Sequence, residues 1–313
     1  VIMYMQSRTD LALEEHEYMV SQHAAEKKQT HIHGVEILDE QFPSDQISIS
    51  TVNITTKNAA KALNKPMGTY ITMEAPLLDI PDDGYHREIS MHISRHLRKL
   101  IPDLTNDKSI LVIGLGNRAV TADSLGPLCI DHLNITRHLL LEYGSAAFDH
   151  QYQNTVSSLS PGVLAQNGIE TAEIVKGVVE QTHPDCLIAI DALAARSLHR
   201  LNRTIQISNT GIHPGSGVGN HRCALTKEAL GVDVIAIGIP TVVDAATIVM
   251  DTLEDYTKKT KHSLNLRLFM EDYDSTLFHE LQNMYVAGKD IDSIILNMSY
   301  TLSEALNITF SKN

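Results

Sequence analysis

Three short runs of consecutive apolar residues constrain this chain most: Ile110-Leu-Val-Ile113, Cys186-Leu-Ile-Ala-Ile190 and Val234-Ile-Ala-Ile237. Each is too short for a buried helix and lacks the polar alternation of a half-exposed strand. Such runs read as strands covered on both faces, the situation of a parallel sheet. Between the first two lies Gly168 to Thr182, where Ile169, Ile174, Val178 and Val179 supply one apolar helical side. Apolar strands alternating with helices predict an α/β fold with a mainly parallel sheet and helices on both faces.

The flanking regions add to that core. Ile47 to Thr55 and Tyr70 to Glu74 alternate apolar and polar residues, as half-buried strands do, and Thr204 to Ser208 reads as an edge or antiparallel strand. Gly84 to Leu100 places Ile89, Ile93, Leu97 and Leu100 at helical spacing, and Pro102 stops it. After the polar run Lys258 to Lys261 the pattern turns helical again, most clearly over Ile291 to Leu306. The expected organisation is a lead-in over 1–10, an α/β domain over 11–257 and a C-terminal helical extension over 258–313 packed on the same domain. A length of 313 residues does not itself require two cores.

In an open α/β sheet, ligands sit beyond the C-terminal ends of the strands. Three such ends carry unusual sequence. After the first run comes Gly114-Leu-Gly-Asn-Arg-Ala-Val-Thr-Ala-Asp-Ser-Leu-Gly-Pro127. Its glycines let the backbone turn sharply, and Gly116 and Asn117 stand where they can support a substrate or a transition state. Gly114, Gly116 and Ala119 formally meet the dinucleotide fingerprint, but Thr121 and Asp123 delay the apolar helix, and Asp123 would confront a phosphate. Asp123 itself reads either as a helix cap or as a catalytic carboxylate. Asp191 directly follows the second run, where a carboxylate is costly unless it is hydrogen-bonded, paired or used. Two such aspartates at two ends of one sheet point towards an acid and a base that activate water.

The third end is Ser208-Asn-Thr-Gly-Ile-His-Pro-Gly-Ser-Gly-Val-Gly-Asn-His-Arg222, a glycine-rich loop whose backbone N–H groups can face an oxyanion, Gly215 among them. His213 reads as an acid/base group, a metal ligand or a loop histidine held by hydrogen bonds. Ser216 lacks the G-x-S-x-G context of a serine nucleophile. Asp244, closing Gly238-Ile-Pro-Thr-Val-Val-Asp244, lines the same rim or caps the next helix. Asp123, Asp191 and His213 could together hold zinc, but no H-E-x-x-H accompanies them, and the sequence requires no metal or other cofactor.

Composition excludes other classes. With 25 basic against 38 acidic residues the net charge is −13, and neither Lys27-Lys28 nor Lys258-Lys259 makes a basic patch, so direct nucleic-acid binding is not expected. No apolar run reaches the roughly 18–20 residues of a membrane span, and the opening VIMYMQSRTD is too short in its apolar part for a secretory signal. Cys129, Cys186 and Cys223 form no C-x-x-C pair, which suits a reducing, cytoplasmic setting.

Taken together, Thr121-Ala-Asp-Ser-Leu-Gly-Pro127 with its glycine turn, Ile135-Thr-Arg-His138, Leu159-Ser-Pro-Gly162, Gly168-Ile-Glu-Thr171, Ile188-Ala-Ile-Asp-Ala-Leu-Ala-Ala-Arg196, Thr210-Gly-Ile-His-Pro-Gly-Ser-Gly-Val-Gly-Asn220 and Ile235 to Ala245 resemble the spore germination proteases. The likeness is dense from about residue 109 to 252 and thinner before it. It implies an endopeptidase of small acid-soluble spore proteins, active in the cytoplasm of the spore core, with a fold related to the hydrogenase-maturation peptidases. A homotetramer and synthesis as a zymogen are also implied. The family's proposed catalytic aspartates fall on Asp123 and Asp191.

Arg8-Thr-Asp-Leu-Ala12 resembles the family's self-processing site, which places the cut between Asp10 and Leu11. An acidic residue before the cut bond would need a basic receptor, for which Arg196 and Arg222 are candidates. His16, His23, His31 and His33 cluster near the presumed pro-segment and, as histidines, are candidates to tune processing with pH. Ala122 stands where the family usually has proline, which is expected to loosen that turn, and the region after residue 257 is shorter than the family pattern.

Overall fold

The structure is a computed structural model that describes residues 33–101, 103–104, 107–148, 154–195, 197–212, 224–260, 280–281 and 283–311. Its strands are β1 (Val35–Phe42), β2 (Ile47–Ile54), β3 (Gly68–Glu74), β4 (Ser109–Gly114), β5 (Thr155–Leu159), β6 (Cys186–Ala195), β7 (Thr204–Ser208), β8 (Asp233–Asp244) and β9 (Tyr285–Val286). The helices are α1 (Lys57–Ala62), α2 (Asp83–Leu100), α3 (Leu125–Ile130), α4 (Arg137–Tyr143), α5 (Leu164–Asn167), α6 (Thr171–Thr182), α7 (Lys227–Leu230), α8 (Ala245–Thr260) and α9 (Ile291–Phe310).

Among the described residues, nine strands form one sheet in the order β1-β2-β3-β7-β8-β6-β4-β5, with β9 added to β8. The apolar runs became β4, β6 and β8, and these strands with β5 are parallel. The rest is not: β1, β2, β3 and β7 follow one another antiparallel, β7 joins β8 antiparallel, and so does β9. The sheet is therefore mixed, which corrects the expectation of a mainly parallel one. Double-sided burial marks only the central strands, whereas the alternating strands belong to an antiparallel flank. The Thr204–Ser208 strand is antiparallel and lies inside the sheet between β3 and β8, so it is not an edge.

The period-2 alternation of the strands divides the core. Ile110, Val112, Ile188, Ile190, Ile235 and Ile237 face α2, α3 and α9 in the larger cluster. Leu111, Ile113, Leu187, Ala189 and Val234 face Val175 and Val179 of α6 and Leu230 of α7 on the other side. Helices thus cover both faces of the parallel part.

Helix α2 begins where Asp82 accepts the Tyr85 N–H at 3.0 Å. It ends at Ile101, whose extended backbone (φ −97, ψ 106) is what a residue before proline prefers. Helix α9 lies along α2, burying Ile295, Met298, Leu302, Ala305, Leu306 and Phe310. Polar ties fasten the pair: Ser90 donates to the Thr301 carbonyl at 2.9 Å, and Arg98 donates to the Ile308 carbonyl at 2.6 Å. Helix α8 carries the chain unbroken through Thr260, so the start of the Lys258–Lys261 run lies in a helix. Among the described residues, no helix is long and apolar enough to cross a membrane.

Candidate active site

Strands β6 and β8 run on well past their apolar runs, to Ala195 and Asp244. Asp191 accordingly sits within β6, paired with Gly238 of β8, and not just beyond the strand as its sequence context suggested. Ile188 and Ile190 point towards α2 and α9, so alternation turns Asp191 to the opposite face, where it is 7% exposed. One carboxylate oxygen accepts the N–H of Ala192 at 3.0 Å.

Asp123 arrives from the other side of the turn after β4. It closes a single 3-10 turn, Thr121–Asp123, held by Asp123 N–H to the Val120 carbonyl at 2.8 Å and Ser124 N–H to the Thr121 carbonyl at 3.1 Å. Its Oδ2 accepts the backbone N–H of Asn117 at 2.7 Å. The residue at the start of α3 is Ser124, and no side chain caps that helix. Neither aspartate is therefore a helix cap. Asp244 is one: its Oδ1 accepts from Ala246 at 2.8 Å and Thr247 at 3.2 Å at the start of α8.

The glycines explain how the two segments meet. Gly116 has φ +111, and a Cβ there would stand 2.0 Å from the Asp123 carbonyl oxygen. A Cβ on Gly126 would stand 2.4 Å from the Leu115 carbonyl oxygen and 2.6 Å from that of Ile190. On the side where a Cβ would stand, the space at Gly114 and Gly116 is thus filled by the chain's own backbone at Gly126 and Asp123. The Asn117 side chain is occupied by local structure: its Oδ1 accepts from Ala119 N–H at 3.0 Å and from Gln166 Nε2 at 2.6 Å. Its backbone N–H is the group that faces the Asp123 carboxylate.

Asp123 and Asp191 line one cavity of about 320 Å³, within the range of ligand pockets. Its floor is built across the sheet. Asp191, Gly238 and Gln206 form one cross-strand row, and Ala236, Ser208 and Tyr70 the next. Small residues on β8 leave room that larger ones would fill. Lys65 and Tyr70 lie on the β3 side, the Tyr70 hydroxyl donating to the Pro66 carbonyl at 2.9 Å. Burial pushes the Tyr70 phenol above its ordinary range, so it stays a neutral donor. Lys65, Tyr70, Gln206 and Thr241 escaped the sequence reading. They come from turns and strands far apart in the chain, and no spacing rule joins them.

His213, Gly215, Arg196 and Arg222, with the Asp10–Leu11 bond, lie outside the described residues, as do His16, His23 and His31. Among the described residues, no three His, Cys, Asp or Glu side chains are grouped so as to hold a metal. Cys129 and Cys186 are buried; burial pushes the Cys129 thiol far up and the Cys186 thiol up to about 12, so neither is a nucleophile at neutral pH.

A family model for the germination protease matches residues 12–266. The match places the protein among the peptidases. The chain is 43% identical to the germination protease of Caldanaerobacter subterraneus subsp. tengcongensis over 98% of this chain and 95% of the relative. Identity is 41% to that of Clostridium tetani, over 97% and 95%, and 38% to that of Bacillus subtilis, over 96% and 92%. The chain belongs to the germination protease family.

Proposed function

We propose that this peptidase is an endopeptidase of small acid-soluble spore proteins in which Asp123 and Asp191 together activate water. The observation that carries the reading is that both aspartates line the same cavity although one arises on a 3-10 turn and the other within β6. Carboxyl groups that close on one substrate cannot both ionise freely, so the reading assigns the proton to one and the charge to the other. The charged member takes a proton from water as the water oxygen bonds to the peptide carbonyl carbon. The protonated member then gives its proton to the amide nitrogen as the C–N bond breaks. The glycine-rich sequence from Gly211 to Gly219 is the proposed source of backbone N–H donors to the oxyanion.

The rest of the reading follows the family resemblance. The protein is made as a zymogen cut between Asp10 and Leu11, assembles as a homotetramer, acts in the spore core and shares its fold with the hydrogenase-maturation peptidases. Arg196 or Arg222 receives the acidic side chain before the cut bond. His213 supports the transition state.

Cleavage of an acid-soluble spore protein by the wild type, Asp123→Asn and Asp191→Asn tests the central claim. Loss of a general acid or base is expected to lower kcat by about 10²–10⁴-fold in each variant. Near-wild-type activity in both would remove the aspartate pair. A second assay compares Glu-Ile with Gln-Ile peptides in Arg196→Gln and Arg222→Gln; unchanged preference in both rules out an arginine receptor.

A further inference from the structure

Strands β6 and β8 keep strict register from Cys186 opposite Asp233 to Leu193 opposite Pro240, and then slip. Ala194 pairs with Val242, so Thr241 is an extra residue with no partner on β6: a β-bulge. Bulges re-aim side chains, and this one has a target. Thr241 is 1% exposed, and its hydroxyl donates to the carbonyl of Ala122 at 2.6 Å. Ala122 is the middle residue of the Thr121–Asp123 turn. The same turn is held from its other side by α9: Thr121 Oγ1 donates to Asp292 Oδ1, in the first turn of that helix, at 2.9 Å.

Asp123 thus ends a three-residue turn whose other two residues are both tied to distant elements, one to the strand next to Asp191's and one to the C-terminal helix. These two ties add to the turn's local hydrogen bonds, Asp123 N–H to the Val120 carbonyl, Ser124 N–H to the Thr121 carbonyl and Asn117 N–H to Asp123 Oδ2. We propose that Thr241 and Asp292 are positioning residues that set where the Asp123 carboxylate stands relative to Asp191, making the β8 bulge and the start of α9 parts of the peptidase machinery. Thr241 is the stronger of the two, because its hydroxyl is buried and short-bonded. Asp292 works through an exposed hydroxyl.

This inference rests on the aspartate-pair reading, and the experiment separates the two. Peptide cleavage is measured for Thr241→Val, Thr241→Ser, Asp292→Asn, Asp123→Asn and the double variant Thr241→Val/Asp123→Asn, with thermal unfolding recorded for each. Misplacing a catalytic group by about 1 Å can cost on the order of 10²-fold, so Thr241→Val is expected to lose about ten- to a hundred-fold in kcat with KM little changed. Its kcat–pH profile should shift, because the interaction between the carboxyl groups depends on their separation. Thr241→Ser should restore both, and Asp292→Asn should show a smaller loss in the same direction. Adding Thr241→Val to Asp123→Asn should cost nothing more. An inactive Asp123→Asn beside a Thr241→Val of wild-type kcat and pH profile overturns the positioning role alone. So does a loss that serine fails to restore. An active Asp123→Asn would instead bring down the reading beneath it. If Thr241→Val does not fold, Asp292→Asn and Thr121→Ala carry the test: wild-type kcat and pH profile in both overturns the proposal.

Discussion

The backbone N–H of Leu115 donates to the carbonyl of Ile190 at 2.8 Å, so the glycine turn after β4 is bonded to β6 one residue before Asp191. That bond extends the β4–β6 ladder into the site and brings the segment bearing Asp123 against the strand bearing Asp191. Gly126, packed on the carbonyl oxygens of both Leu115 and Ile190, is the third member of the junction. The geometry of the aspartates therefore depends on residues that carry no reactive group.

Gly116→Ala tests that dependence. The alanine would need a left-handed backbone and would set its methyl 2.0 Å from the Asp123 carbonyl oxygen. Strain of this kind costs roughly 1–3 kcal/mol. Urea unfolding should show a loss of about that size, and kcat should fall more than the stability change explains, because the displaced atom belongs to Asp123. An activity loss no greater than that of an equally destabilised core variant would separate the turn from catalysis.

Acid sensitivity is predicted at the β1–α2 contact. His96 is 2% exposed; its Nδ1–H donates to the His92 carbonyl at 2.8 Å, and its Nε2 lies 3.5 Å from Glu40. Burial lowers its pKa below the ordinary 6.5, with Lys99 lowering it further and Glu40 opposing the shift. The unfolded chain then binds this proton more readily than the folded one. The stability involved is full above pH 6.5 and is lost as the pH falls below it towards the folded value. His96→Gln should flatten the fall in Tm between about pH 7 and pH 5. An unchanged slope would place the acid sensitivity elsewhere.

The cysteines give a chemical prediction. Iodoacetamide at pH 7.5 should leave Cys129 and Cys186 of the folded protein unmodified, since both thiols are buried and pushed up. Peptide mapping reads each site separately, and denaturant should expose both. Labelling of either in the native protein would contradict the packing.

Helix α9 offers a matched pair. Leu302 is fully buried against α2, whereas Leu296 on the same helix is 41% exposed. Leu302→Ala should cost about 2–5 kcal/mol in denaturant unfolding, and Leu296→Ala at most roughly 0.5 kcal/mol. Equal effects would mean that α9 does not pack as described.

Particular elements show where legibility stopped. Asp123 and Asp191 could be singled out because glycines and buried strands around them made an acidic side chain conspicuous. Asp191 nevertheless lies within a strand that continues to Ala195, and that continuation was not legible, because the acidic residue and the alanines around Leu193 interrupt the run of large apolar residues that marks a buried strand. Thr204–Ser208 showed its alternation but not its neighbours, and β3 and β8 on either side of it come from more than a hundred residues before it and from some thirty after. The bulge at Thr241 has no sequence signature: a slip in register is a property of two strands.

The sequence by itself determined the α/β class, the glycine turn, the two aspartates and the family. Each of these is written in a local pattern of side chains, and a local pattern reports how one segment is buried or turned. Only the tertiary structure decided that the sheet is mixed, that Asp191 faces the Tyr70 and Gln206 side of it, and that Thr241 and Asp292 grip the turn of Asp123. Those facts depend on strand order and register, which arise from contacts between segments far apart in the chain, and no single segment carries that information.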